Sequence, residues 1–111
     1  MSTVAALAHT PEPPYYAVIF TSLRREGDHG YAAMADRMVE LGSRMEGFLG
    51  IESTRDTNGL GITVSYWRDE GSILAWKRNA EHAKAQKAGG EIWYESYTVR
   101  IAKVERAYTG P

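Results

Sequence analysis

Apolar side chains recur along this chain with two different periods, and the switches between those periods mark its elements. Residues Tyr15–Leu23 (YYAVIFTSL) are aromatic and β-branched, the composition of a strand. Tyr15, Ala17 and Ile19 fall on one face and Tyr16, Val18 and Phe20 on the other, so both faces of this strand need cover. The polar stretch Arg24–Gly30 reads as a loop. From Tyr31 the period lengthens: Tyr31, Met34, Ala35, Met38, Leu41 and Met45 recur at helical spacing, while Asp36, Arg37, Glu40 and Arg44 mostly face away. Gly42 sits near the expected end of this helix and Gly47 just after it.

Period two then returns. Phe48–Arg55 and Leu60–Trp67 flank Asp56-Thr57-Asn58-Gly59, and Asn-Gly between two apolar runs predicts a hairpin. In the second of these strands Leu60, Ile62, Val64 and Tyr66 share one face, with Thr63, Ser65 and Trp67 on the other. Asp69 is placed to N-cap a helix carrying Ile73, Trp76, Ala80 and Ala83 on one stripe. That helical region is expected to run to about Ala88, to stop at Gly89-Gly90, and to break near Asn79. A last strand over Tyr94–Tyr108 exceeds the usual strand length, which predicts a bend or bulge within it.

The order is βαββαβ, an α+β, ferredoxin-like arrangement with both helices on one face of a four-stranded antiparallel sheet. The other face is left with no cover from within the chain. A second copy related by a two-fold axis is the simplest cover for it, so a homodimer is expected.

Composition narrows the chemistry. The chain has 111 residues, a formal net charge of −1, no cysteine and three histidines. Without cysteine there is no disulfide framework, zinc ribbon, iron–sulfur cluster or thiol nucleophile. His9, His29 and His82 are scattered, with no HxH, HxxxH or HExxH pair to seed a metal site. Near-neutral charge gives little pull towards nucleic acid. The RNA-recognition domains that share this element order carry basic residues beside their stacked aromatics, yet LGITVSYW has none before Arg68. No apolar run approaches the roughly 20 residues that span a bilayer, and the five-residue apolar run near the start is too short for a secretory signal. A cytoplasmic protein is expected. The four prolines are Pro11, Pro13, Pro14 and Pro111, so residues 1–14 read as a flexible N-terminal arm and 15–108 as the domain.

Candidate chemistry concentrates in Tyr66–Tyr97. Trp67, Trp76, Trp93, Tyr66, Tyr94 and Tyr97 surround His82 in the sequence. On an ideal helix Asn79, His82 and Gln86 make a polar stripe beside the Ile73–Trp76–Ala83 stripe. Polar groups bordering an aromatic surface suit the lining of a small-molecule pocket. The same pattern also serves a plain core with a solvated histidine on its flank. Arg24-Arg25 and Lys84/Lys87 read most simply as solvated faces, with anion clamps as the alternative reading.

The string Tyr66-Trp67-Arg68-Asp69, Ile73-Leu74-Ala75-Trp76-Lys77, Glu81-His82, Gln86, Gly89-Gly90, Trp93-Tyr94, Tyr97 and Val104-Glu105-Arg106 resembles the antibiotic biosynthesis monooxygenase (ABM) domain family over residues 15–108. The resemblance implies a dimeric α/β barrel, two four-stranded sheets packed face to face, with a ligand between the helices and the sheet of each subunit. It implies cofactor-free oxidation of an aromatic phenol or quinol, haem degradation, or a non-catalytic binding and stress-response dimer. For the haem branch, Trp76 matches the tryptophan that packs on the macrocycle. The axial histidine falls near Gln86, a poor iron ligand, and the first-strand asparagine falls near Thr21 or Ser22. In the cofactor-free branch a base must form the substrate anion. His82 takes that part here, with Trp67, Trp76 and Trp93 as walls and Tyr97 or Gln86 orienting the substrate.

Overall fold

The structure, a computed structural model, describes residues 6–82 and 92–111, with the side chains of residues 80–82 outside the description. The elements run β1 (Tyr15–Arg24), α1 (Tyr31–Ser43), β2 (Phe48–Arg55), β3 (Leu60–Trp67), α2 (Glu70–His82) and β4 (Tyr94–Val104). The sheet order is β2-β3-β1-β4 and every neighbouring pair is antiparallel. This is the βαββαβ ferredoxin-like arrangement the periodicities predict.

Local chemistry accounts for the element boundaries. In the hairpin, the Asp56 carboxylate accepts the backbone N–H groups of Asn58 and Leu60, each at 2.9 Å, and Gly59 takes a φ of 95°. Asp69 caps α2 as expected: its Oδ1 accepts the Ser72 N–H at 2.7 Å and the Ser72 hydroxyl at 2.8 Å. The Asp28 carboxylate does the same for α1, accepting from the N–H groups of Gly30 at 2.9 Å and Ala32 at 3.1 Å. Gly47 holds a φ of 87°, and a Cβ there would overlap the Ser72 hydroxyl, so the turn into β2 packs directly on the start of α2.

Two boundaries differ from the sequence reading. α2 continues unbroken through Asn79 to His82, because the i to i−4 ladder does not need the apolar stripe to remain in register; the stretch expected to reach Ala88 lies outside the described residues. β4 ends at Val104 rather than Tyr108. Val104 pairs with Tyr15, the first residue of β1, and Pro13 and Pro14 before it have no N–H with which to extend the ladder. The expected bulge is present near the start of β4, where Leu23 faces Ser96 while Arg24 faces Tyr94.

Cross-strand partners share a face. Tyr16 and Phe48 both lie opposite Trp67, and Trp67 stacks on Trp76 of α2, with centroids 6.1 Å apart and planes 23° apart. Tyr16, Val18, Phe20 and Ser22 therefore look towards the helices. Gly42 of α1 is buried where a Cβ would meet the Trp76 ring at 3.6 Å, so the two helices approach closely on that same side. Among the described residues no helix is long and apolar enough to cross a membrane.

The opposite face carries Tyr15, Ala17, Ile19, Ile62, Val64 and Tyr66. The expectation that the chain itself leaves this face bare needs amending at one end. The Ala8 N–H donates to Glu52 at 3.1 Å, Thr10 donates to the Tyr15 phenol oxygen at 2.9 Å, and Tyr15 is buried with its ring edge-on to Tyr66. Burial first, and then the hydrogen bond to Glu52, push the Tyr66 phenol up to about 12, so it stays a donor to that carboxylate. Further along, Leu60 and Ile62 are 47 % and 42 % exposed, an apolar surface still open.

Candidate functional site

The helix-facing side of the sheet carries two aromatic groups separated along β1. Trp67 lies opposite Tyr16, and Tyr97 opposite Ser22, which puts about 20 Å between the two ends at ~3.3 Å per residue.

The first group is Phe48, Trp67 and Trp76. Phe48 meets Trp67 edge-on at 5.4 Å, Trp76 stacks on it, and the indole N–H donates to the Ser65 hydroxyl at 2.9 Å. Trp67 is 1 % exposed. Asn79 of α2 donates from its side-chain amide to the Met45 sulfur at 3.3 Å, closing the helices over this end.

The second group gathers on β1, β4 and the start of α1. Tyr31 packs edge-on against Trp93 at 5.9 Å and Tyr94 at 5.8 Å, and Phe20 contacts Tyr94 at 5.3 Å and Tyr97 at 5.4 Å. Trp93 is buried, and its indole N–H donates to the His29 carbonyl at 3.0 Å, tying the entry to β4 onto the loop before α1. Burial above all, and then the hydrogen bond with Tyr31, raise the Tyr94 phenol well above its ordinary value, against a smaller opposing pull from Arg55 and Arg24. Tyr94 is thus a neutral hydrogen-bonding group at physiological pH. Beyond it β4 presents Tyr97, Val99 and Ile101 at 42–53 % exposure on the side that faces the helices.

The sequence-predicted residues therefore divide. Trp67 and Trp76 meet at one end, Trp93 and Tyr97 stand at the other, His82 is the last residue of α2 with its side chain outside the described residues, and Gln86 lies outside them altogether. The structure adds Arg24, Arg55, Tyr31, Tyr94 and Ser22, which sequence reasoning did not single out as a group. Arg24 lies over the Tyr31 ring, 3.6 Å from its centroid. Arg55 reaches across β3 to the Ser22 hydroxyl at 2.8 Å and the Tyr31 hydroxyl at 3.3 Å. It crosses β3 at Gly61, where a Cβ would overlap the guanidinium. Strand parity counted from Trp67 through the hairpin was the available signal, since it sets Arg55 opposite Gly61 on the face of Ser22. On the same face Ser53 and Thr63 pair through their hydroxyls at 2.6 Å. Two shallow depressions lie elsewhere, one beside Met45, Arg68 and Ser72, the other between Leu7 and the exposed side of Ile62 and Val64.

Among the described residues no three His, Asp or Glu side chains gather as a metal site. Of the residues that the haem resemblance invokes, Trp76 is half-buried with one face stacked on Trp67, the Ser22 hydroxyl is buried and held by Arg55, and Gln86 lies outside the described residues.

Comparison with known proteins agrees with this fold. The ABM (antibiotic biosynthesis monooxygenase) family profile matches residues 14–88. The chain is 54 % identical over 100 residues to protein YqjZ of Bacillus subtilis, spanning 90 % of this chain and 88 % of that protein. It is 30 % identical over 94 residues to jasmonate monooxygenase ABM of Pyricularia oryzae, spanning 80 % of this chain and 43 % of that longer relative. Among solved structures, SnoaB of Streptomyces nogalater superposes with a TM-score of 0.72 at 8 % identity, over 84 % of this chain and 95 % of that one. Rv0793 of Mycobacterium tuberculosis superposes with a TM-score of 0.71 at 15 % identity, over 85 % and 99 %. On the extent of the family match and the identity to YqjZ, the chain belongs to the antibiotic biosynthesis monooxygenase family.

Proposed function

We propose that the chain is a small, cofactor-free monooxygenase that oxidises an aromatic phenol or quinol bound between the helices and the sheet. The observation that carries this reading is the aromatic wall of Phe20, Tyr94 and Tyr97, continued by exposed Val99 and Ile101 on the helix side of β4. Such a surface receives a flat ring, and edge-on contacts to it add to the area buried. The Pyricularia oryzae relative is named as a monooxygenase, and SnoaB, described as a cofactor-independent oxygenase, is built on the same fold.

The chemistry follows from the electronic structure of oxygen. Triplet O₂ reacts slowly with closed-shell molecules, whereas a phenolate passes it one electron and recombines with the superoxide at carbon. Loss of water from the resulting hydroperoxide leaves a quinone, so one oxygen atom enters the product and the other leaves as water. The protein has to take the hydroxyl proton, which we assign to His82, and to hold the ring in a dry slot. Trp93 and Tyr97, which stand at the aromatic wall, are our candidates for contacting the substrate and Gln86 for orienting it, whereas Trp67 and Trp76 stack on each other about 20 Å away along β1. We place the protein in the cytoplasm.

A closed oxygen electrode with anthrone and 1-naphthol, each of which gains one oxygen atom on becoming a quinone, tests the activity. Protein-dependent uptake of one O₂ per quinone formed, unaffected by EDTA, is expected with at least one of them. Tight binding of these probes without uptake would overturn the oxygenase reading in favour of a non-catalytic binding dimer.

The working unit in this proposal is a homodimer, the second copy covering the sheet face on which Leu60 and Ile62 stand exposed. Sedimentation equilibrium is expected to give twice the chain mass, and Ile62→Glu, which sets a charge into the covered surface, to return the single-chain mass. A wild-type protein that stays monomeric at high concentration rules the dimer out.

A further inference from the structure

Two guanidinium groups meet at the second aromatic group, with no acid paired to either among the described residues. Arg24 ends β1 and Arg55 ends β2, and both lie within 6 Å of the centroid of the Tyr31 ring, at 3.6 and 5.8 Å. Each is fixed by neutral acceptors. Arg24 donates from Nε to the Trp93 carbonyl at 3.1 Å and from Nη2 to the Gly27 carbonyl at 2.9 Å. Arg55 donates to the Ser22 carbonyl and hydroxyl, the Gly59 carbonyl and the Tyr31 hydroxyl. Among the described residues neither guanidinium pairs with a carboxylate, and Nη1 of Arg24 meets no protein acceptor. Asp28, which is near in sequence, spends its carboxylate on the first turn of α1.

Two half-buried like charges around one ring repel each other, and burial strengthens the repulsion. An anion seated between them removes that cost and gains charge-assisted hydrogen bonds. The planar guanidinium, held in place from below by Tyr31 and from the side by two carbonyls, is pre-organised to grip a carboxylate. Next to it stand the rings of Tyr94, Phe20 and Tyr97.

From this juxtaposition we infer that Arg24 and Arg55 bind the carboxylate of the substrate, whose ring lies on the Tyr94–Phe20–Tyr97 wall, so that the substrate class is an aromatic carboxylic acid. This rests on the aromatic-substrate reading above and narrows it. Arg24 supplies the contact. Arg55, whose donors are largely engaged, supplies charge and positions Tyr31.

Quenching of tryptophan fluorescence under anaerobic conditions, with 1-hydroxy-2-naphthoate and its uncharged amide as probes, tests the inference. The acid is expected to bind at least about 10-fold more tightly than the amide, the scale of one charge-assisted contact. Arg24→Gln is expected to abolish that preference, with its circular-dichroism spectrum and melting curve reporting that the variant is folded. Arg25→Gln, at an exposed neighbour, is expected to keep the preference. Equal binding of acid and amide by the wild-type chain overturns the carboxylate site and leaves the aromatic reading standing. Failure of both probes to bind overturns both. An acid preference with no oxygen uptake from any phenol upholds the site and removes the oxygenase activity instead.

Discussion

Trp67→Ala is expected to destabilise the fold by about 3–5 kcal/mol, the range for truncating a large core aromatic. Trp67 is 1 % exposed and joins three parts of the molecule. It faces Phe48 of β2, stacks on Trp76 of α2 and donates to Ser65 within its own strand. Removing the indole leaves a void beside Trp76 and strips that ring of its stacking partner and Phe48 of its edge-on contact. Domains of this size are stabilised by only 5–15 kcal/mol in all. The melting temperature at fixed protein concentration should therefore fall by roughly 10 °C or more. Trp67→Phe, which keeps a ring against Phe48, should lose less than half as much. The result separates a core residue from a substrate-facing one: a wall of a binding pocket would change ligand affinity while leaving the melting temperature almost untouched.

The features legible in the sequence were those decided locally. Asp56 and Gly59 determine the hairpin, Asp69 caps α2, and alternation in YYAVIFTSL and LGITVSYW sorts the side chains onto two faces. What the sequence could not give is what depends on a distant partner. β4 ends at Val104 because β1 begins at Tyr15, a fact absent from the residues between 104 and 108. The three tryptophans are close along the chain, yet Trp67 and Trp93 belong to opposite ends of the sheet, because α2 and its connection lie between β3 and β4. Arg24 and Arg55 show the converse. They are 31 positions apart and the sequence alone singles out only Arg24, as a solvated charge, yet the hairpin register and the missing side chain at Gly61 bring Arg55 to the same Tyr31 ring that Arg24 covers. Alternation gave the face of each residue but not its neighbours, and the candidate site is made of neighbours.

His82→Ala carries the largest expected effect on activity. If His82 takes the hydroxyl proton of the substrate, its loss should lower kcat/KM by about 10²–10⁴-fold near neutral pH, the usual worth of a positioned general base. The effect must depend on pH in a particular direction. A base works only when neutral, so the wild-type rate falls on the acid side as an imidazole protonates, and that limb should vanish in the variant. The defect should also shrink as pH rises, because solvent then ionises the phenol without help, and it should be smaller for phenols that are more acidic. Added imidazole should restore part of the lost rate. Tyr94 cannot substitute as the base, since burial and Tyr31 hold its phenol protonated throughout this range. A loss of rate equal at every pH and for every phenol, with no rescue by imidazole, would show instead that His82 merely supports the end of α2, and proton removal would then have to be assigned elsewhere.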